Sequence, residues 1–251
     1  MPFTLADVVL WSRSFDEHVA MFALEQRDFE GTIEGCSDGP AAVNAGATER
    51  GYCVVSVDPL YEFSVGGIEQ RIKQPSVEGA SQTRRNVAEF VWTHYKSVDE
   101  LIATRRAAMQ QLLEEFPSGI ETGRYVNGPL PGLPFAFGQF QLAQCSHFLF
   151  LYSEQLDFEF YLRSLVAMCG VAREVRIFPL FELGSQPSRQ IDPVIGSLRE
   201  LGFHAEPVRV DYEFQRVANE MLRVKRPPPS VGGEPNVLPQ SDLQDSGARA
   251  G

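Results

Sequence analysis

The sequence predicts an α/β fold: a mostly parallel sheet with helices on both faces, a helical insertion after the second strand, and an antiparallel hairpin at the C-terminal edge. Three observations carry this prediction. Short runs rich in β-branched residues alternate with amphipathic helical stripes as far as residue 226, the pattern of a parallel sheet covered on both faces. A turn of small residues, GCSDG at 35–39, lies between the first run and a helix, and the next run ends in an acid, Asp58. The last two strand-like runs, 206–211 and 220–224, are close enough in sequence to pair antiparallel.

Taken in order, Ser14 and Glu17 form a capping box before a stripe of Phe15, Val19 and Phe22. Residues 32–35 are a short strand. Gly39 and Pro40 open a helix, AAVNAGATER, that Gly51 closes. YCVVSV at 52–57 reads as a buried strand ending in Asp58-Pro59. Residues 62–123 break the rhythm. Ser97 and Glu100 cap a helix whose stripe is Leu101, Ile102, Met109, Leu112, Leu113 and Phe116. The stretch is too long for an ordinary connection and reads as a helical cap over a site; extra helices packed elsewhere are the plainer alternative. Strands resume at 124–126 and 141–145. A helix follows Ser153, a strand covers 174–179, and Asp192-Pro193 starts a helix that Gly202 ends. One domain over 1–226 is expected. Residues 227–251, dominated by Pro, Gly and polar residues, read as a disordered tail.

The 251 residues suffice for one large domain, and 43% hydrophobic with 22% charged residues is ordinary for a globular chain. Lys and Arg number 22 against 33 Asp and Glu, for a net charge of -11. That balance argues against nucleic acid and anionic membrane as partners, since both bind through basic residues. Cysteines 36, 53, 145 and 169 form no CxxC pair and read as buried free thiols in a reducing cytosol. The four histidines are scattered, so no metal site is expected. No apolar run reaches ~18 residues, and the N-terminus lacks a signal-peptide pattern, so a cytoplasmic location is expected.

The chemistry points first to the 35–39 turn. Small residues let a backbone approach a ligand, and a helix N-terminus offers free N–H groups. Asp58, 23 residues after Gly35, can accept two hydrogen bonds from ribose hydroxyls. Small residues recur at 35, 37 and 39, and Pro40 interrupts the dinucleotide spacing, which fits a nucleoside-type cofactor without pyrophosphate better than a nicotinamide dinucleotide. A tight turn plus a capping aspartate is the bland alternative.

At these residues the sequence resembles a known family. TIEGCSDGPAAVNA with VVSVDPLYEFS resembles motif I and the second-strand acid of class I S-adenosylmethionine-dependent methyltransferases. LPGLPFAFGQFQLAQCSHFLFLY, residues 130–152, resembles their fourth-strand region. Within that superfamily the chain is similar to a bacterial group of methyltransferase-like proteins without an assigned substrate. That group carries GCxDGPxxxNA, CDPxYxFS, CSHFLFLY, AREVRIFP and YEFQRxxNxML, here at 35–45, 57–64 (with Val57 for Cys), 145–152, 172–179 and 212–222. The resemblance spans about residues 12–226. There are departures. Ile33 stands where an acid is common, with Glu34 one place off. Ser37 replaces the second motif glycine, no acid follows the third strand in 127–130, and Gln141 replaces an Asp.

The resemblance implies a Rossmann-like methyltransferase fold with S-adenosylmethionine as cofactor and a small molecule as methyl acceptor. Gly35, Cys36, Ser37 and Gly39 are then expected along the methionine part, and Asp58 on the ribose. Pro59, Leu60 and Leu130 are expected against the adenine, with Ser146 beside the transferred methyl group. His147 is the expected catalytic base, an unperturbed imidazole titrating near ~6.5. A backbone-bonded structural histidine is its alternative. Tyr152, Tyr212, Gln215, Arg216 and Asn219 form the expected substrate set, with Arg216 a clamp for a carboxylate or phosphate. The aromatic stripe Phe148, Phe150 and Tyr152 is more simply core, and a surface Glu213–Arg216 pair competes with the clamp. Three other readings stand beside methyl transfer. They are a non-catalytic binder of S-adenosylmethionine or S-adenosylhomocysteine, a nicotinamide-dependent oxidoreductase, and a methyltransferase acting on protein or RNA.

Overall fold

A computed structural model describes residues 12–153, 155–182 and 186–227. The first strands and helices follow the expected βαβ unit: α1 (Phe15–Met21), β1 (Ile33–Cys36), α2 (Val43–Glu49) and β2 (Val54–Val57). Two long helices come next, α3 (Val65–Arg85) and α4 (Val98–Glu121), then β3 (Tyr125–Val126) and β4 (Phe140–Ser146). The C-terminal half adds α5 (Phe158–Val171), β5 (Ala172–Phe178), the two-residue strands β6 (Phe181–Glu182) and β7 (Gln186–Pro187), α6 (Ile191–Glu200), β8 (His204–Arg209) and β9 (Glu220–Lys225).

Seven strands form one sheet in the order β3-β2-β1-β4-β5-β9-β8. β1 pairs parallel with both β2 and β4, and β9 runs antiparallel between β5 and β8. This is the expected Rossmann-like methyltransferase fold with its antiparallel edge. The order reverses between β1 and β4, so the C-terminal ends of those strands diverge into a crevice. One face of the sheet is covered by α5 and α6 through Leu165, Met168, Val194 and Leu198. The other face receives α1 and α2, with Phe15, Val43 and Ala47 packed on Ile33 and Leu142.

Ser14 and Glu17 make the capping box at α1 as the sequence reads. Gly51 and Gly202 adopt φ of +76° and +88°, the left-handed conformation that ends helices cheaply. Two helix starts differ from expectation. α2 begins at Val43 rather than at Pro40, because Asp38-Gly39-Pro40 fold as a turn. α6 begins at Ile191, with Gln190 rather than Asp192 as its cap. The short β6–β7 hairpin is too brief to leave a period in the sequence. The expected tail lies, beyond Pro227, outside the described residues.

The 62–123 insertion is helical, but no residue from it lines the crevice among the described residues. α4 is the crossover from β2 to β3, and α3 packs on it through Ile68, Ile72, Met109 and Leu112. The insertion reaches the site only from behind. Arg105 of α4 is 1% exposed and is paired with Glu17 of α1. Tyr212 donates to the other oxygen of Glu17 at 3.0 Å. A second buried arginine, Arg176 of β5, holds Asp28 through both guanidinium ends at 3.1 Å and donates to Phe22 O at 2.9 Å. Arg105 thus fastens α1 to α4, and Arg176 fastens the segment after α1 to the sheet.

Breaking one partner of a buried pair leaves an uncompensated charge and costs about 3–5 kcal/mol. Arg105→Met is therefore expected to lower stability by that order in urea unfolding at neutral pH. In the cycle with Glu17→Gln, the double variant Glu17→Gln/Arg105→Met should lose less than the sum of the two single losses, because the pair is broken only once. Strictly additive losses would contradict the pairing.

Candidate functional site

A cavity of about 270 Å³ opens at the C-terminal ends of β1, β2 and β4, close to the lower bound of roughly 300 Å³ for small-molecule sites. Five segments wall it: Ser37–Ala41 after β1, Asp58 and Pro59 after β2, Pro129 and Leu130 after β3, Ser146–Phe148 after β4, and Arg13 with His18 from the N-terminal segment.

The loop after β1 is shaped by its own aspartate. A Cβ on Gly35 would lie 1.8 Å from Asp38 Oδ2, so only glycine lets the Asp38 side chain fold back over the strand. There Asp38 accepts from Ser56 Oγ at 2.7 Å, while its Oδ1 is buried without a partner. Ser37 and Gly39 take positive φ, both +54°, which turns the chain toward the cavity. The loop amides are largely engaged. Gly39 N donates to Asp58 Oδ2 at 2.9 Å, Ala41 N to Asp38 O at 3.2 Å and Ala42 N to Arg13 O at 2.9 Å, and Pro40 has no N–H. Asp58 also accepts from Leu60 N at 2.7 Å. Asp38 and Asp58 thus line the cavity where a pyrophosphate site would offer free amides.

Of the residues expected from sequence, Ser37, Gly39, Asp58, Pro59, Leu130, Ser146 and His147 line the cavity. Three stand behind it. Gly35 makes room for Asp38, Cys36 is in the core beneath α5 and α6, and Leu60 is buried against α3 and α4 but binds Asp58 through its N–H. The expected substrate set is not brought to the cavity. Tyr152 is buried against Phe148. Tyr212 serves Glu17, and Gln215 bridges to Phe90. Arg216 is exposed and donates through Nε to Ala88 O at 2.9 Å, which holds the insertion rather than a ligand. Asn219 donates to Glu213, whose other oxygen accepts Val217 N, so the alternative pair with Arg216 is replaced by a local turn.

His147 has a left-handed backbone, φ +55°, with its N–H on Phe178 O at 2.7 Å and its Nδ1 2.8 Å from Ser146 Oγ. Burial, with Arg13 and Arg105 nearby, holds its pKa well below the usual imidazole range. That direction favours the neutral ring. Arg13, His18, Asp38 and Phe148 also line the site. The sequence marked the first two only by the capping box they bracket. Their approach to the cavity depends on the Glu17–Arg105 pair, which no local pattern reveals.

Behind the loop, Glu34 is fully buried with neither oxygen partnered. Burial, reinforced by Asp38, pushes its carboxyl up to about 8, and burial pushes Asp38 up to about 7. A carboxyl raised in the folded state is protonated there while its unfolded counterpart is ionised. The native chain then binds more protons, and stability falls as pH rises from about 4 to about 8. The urea midpoint is expected to drop between about pH 5.5 and about pH 8.5, and Glu34→Gln to flatten that drop. A midpoint equally steep in the variant would assign the slope elsewhere.

No family model matches the chain. Over 224 residues it is 28% identical to an uncharacterized protein of Methanocaldococcus jannaschii, covering 88% of this chain and 98% of that protein. Among solved structures, magnesium protoporphyrin IX methyltransferase from Synechocystis PCC 6803 with bound SAM is similar at a TM-score of 0.43 and 11% identity, over 85% of this chain and 78% of that one. An O-methyltransferase family protein from Burkholderia thailandensis is similar at 0.46 and 9%, over 84% and 55%. These superpositions are coarse. The fold is defined by the strand order and by β9, the antiparallel strand at its sixth position.

Proposed function

We propose that the protein binds S-adenosylmethionine in this cavity and transfers its methyl group to a small-molecule acceptor. The observation that carries the reading is the acidic, amide-poor wall at the strand switch point. Asp38 and Asp58 face the space, and the amides of Gly39, Ala41 and Ala42 are engaged. Such a wall repels phosphate and suits a cationic nucleoside with hydroxyls to donate. The residues fit that group. Asp58, anchored by two backbone N–H groups, keeps lone pairs for a ribose diol. Pro59, Pro129 and Leu130 offer apolar surface for a purine, and the orphaned Asp38 Oδ1 is an acceptor for an ammonium or hydroxyl.

When bound, the cofactor would supply an electrophilic methyl group. The chain's own task is placement, because in-line orientation of an acceptor accounts for most of the rate in such a transfer. The neutral His147 and Ser146 are suited to hydrogen-bond an acceptor without adding charge.

Thermal unfolding with S-adenosylmethionine, S-adenosylhomocysteine and NAD in separate samples tests the reading. Ligand at ~100 times its Kd should stabilise by about 2.7 kcal/mol, a shift of roughly 5–10 °C for this size. A shift with the two sulfur nucleosides that Asp58→Ala removes is the expected result. No shift at millimolar ligand sinks the reading. A shift with NAD alone would favour the nicotinamide alternative, and binding without turnover on any acceptor the non-catalytic one.

A further inference from the structure

Three carboxyls stand at the strand switch point with no cation of the described residues paired to them. Glu34 of β1 is fully buried with neither oxygen partnered. Asp38 is 8% exposed and lines the cavity; its Oδ2 accepts from Ser56, while Oδ1 is buried and unpartnered. Asp58, also on the cavity wall, is held by the N–H groups of Gly39 and Leu60. Elsewhere the chain matches its buried acids. Glu17 and Asp28, as buried as Asp38, each face an arginine. A carboxyl kept from water without a counter-charge holds its proton, and a cation brought beside it drives that proton off.

The groups packed around Asp38 bring no positive charge. β1 contributes Glu34 and the Cys36 thiol, β2 ends in Asp58, the turn after β2 adds the Tyr61 hydroxyl, β3 adds Tyr125 and β4 the Cys145 thiol. Burial raises every one of these acids. Arg124, beside Tyr125, is engaged by Asn44, Thr48 and Glu115. Arg13, His18 and His147 share the cavity, but what moves Asp38 is burial first, opposed by the Ser56 hydrogen bond and reinforced by Asp58. The cluster therefore holds exchangeable protons near neutral pH, at about 7 on Asp38 and about 8 on Glu34.

We infer that Asp38 makes the cavity selective for the charged methyl donor over its demethylated product: the cationic nucleoside enters as a proton leaves the Glu34–Asp38–Asp58 cluster, and the neutral thioether lacks that hold. This deepens the methyl-transfer reading and rests on it. S-adenosylmethionine differs from S-adenosylhomocysteine by the methyl group and by the sulfonium charge. The α-amino group is common to both and cancels in their comparison. Once the methyl group has left, the sulfur is neutral, the cluster takes its proton back from water, and the product is held less tightly.

The test is calorimetric titration of the wild-type protein with the two nucleosides and with sinefungin, which carries an amine in place of the sulfonium. It is run from about pH 5.5 to about pH 8.5 in buffers of different ionisation enthalpy. The buffer-dependent heats should show more protons released with S-adenosylmethionine than with S-adenosylhomocysteine. The ratio of donor to product affinity should rise with pH, by up to about tenfold per unit for each extra proton released. Sinefungin should follow the donor, because it shares the charge and not the methyl group. Asp38→Asn keeps an acceptor for Ser56 and should flatten the ratio across the range. Glu34→Gln, whose side chain is off the cavity wall, should shorten the rise at its upper end. Equal proton release with donor and product, a ratio that does not move with pH, sinefungin following the product, or an unchanged slope in Asp38→Asn would overturn the assignment with the cofactor reading intact. The wild-type titrations decide the matter even where Asp38→Asn fails to fold. If wild type binds neither nucleoside at any pH, the methyl-transfer reading itself has failed.

Discussion

The buried pair of Glu17 and Arg105 is the constraint on which the site rests. It joins the first helix to the inserted one, and Tyr212 ties both to the C-terminal hairpin. Charges taken out of water this completely persist only when each is matched. The consequence is positional. Arg13 and His18 flank Glu17 in sequence, so fixing that carboxylate also fixes a cationic group and an imidazole at the mouth of the crevice.

The opposite wall is built by a different economy of space. Gly35 has no side chain, so the Asp38 carboxylate folds back over the strand and reaches Ser56. The Asp58 side chain closes the loop by taking its Gly39 amide. Backbone groups that would otherwise serve an anion are thereby spent inside the protein. The charge character of the cavity wall comes from these internal hydrogen bonds as much as from the carboxylates themselves.

The sheet was legible because its signals are local. VVSV ends in Asp58, FQLAQCS ends beside His147, and the capping boxes at Ser14 and Ser97 mark real helix starts. The wall residues 37, 39, 58 and 146–147 were legible for the same reason, since they sit at strand ends. The substrate set at 212–219 misled because a polar cluster in sequence looks alike whether it faces a ligand or a neighbouring loop. Arg216 turned out to hold Ala88. Arg13 and His18 escaped notice because their place is decided by partners far along the chain.

That distance has a consequence for how the protein is made. Glu17 waits for Arg105, 88 residues downstream, Asp28 for Arg176, 148 downstream, and the second oxygen of Glu17 for Tyr212, 195 downstream. The buried charges of this segment therefore find their partners only after Arg105, Arg176 and Tyr212 have been made. Contacts of such long range form late and slowly. Until those residues are made Glu17 and Asp28 stay hydrated, and this wall of the cavity takes its final form only after Tyr212.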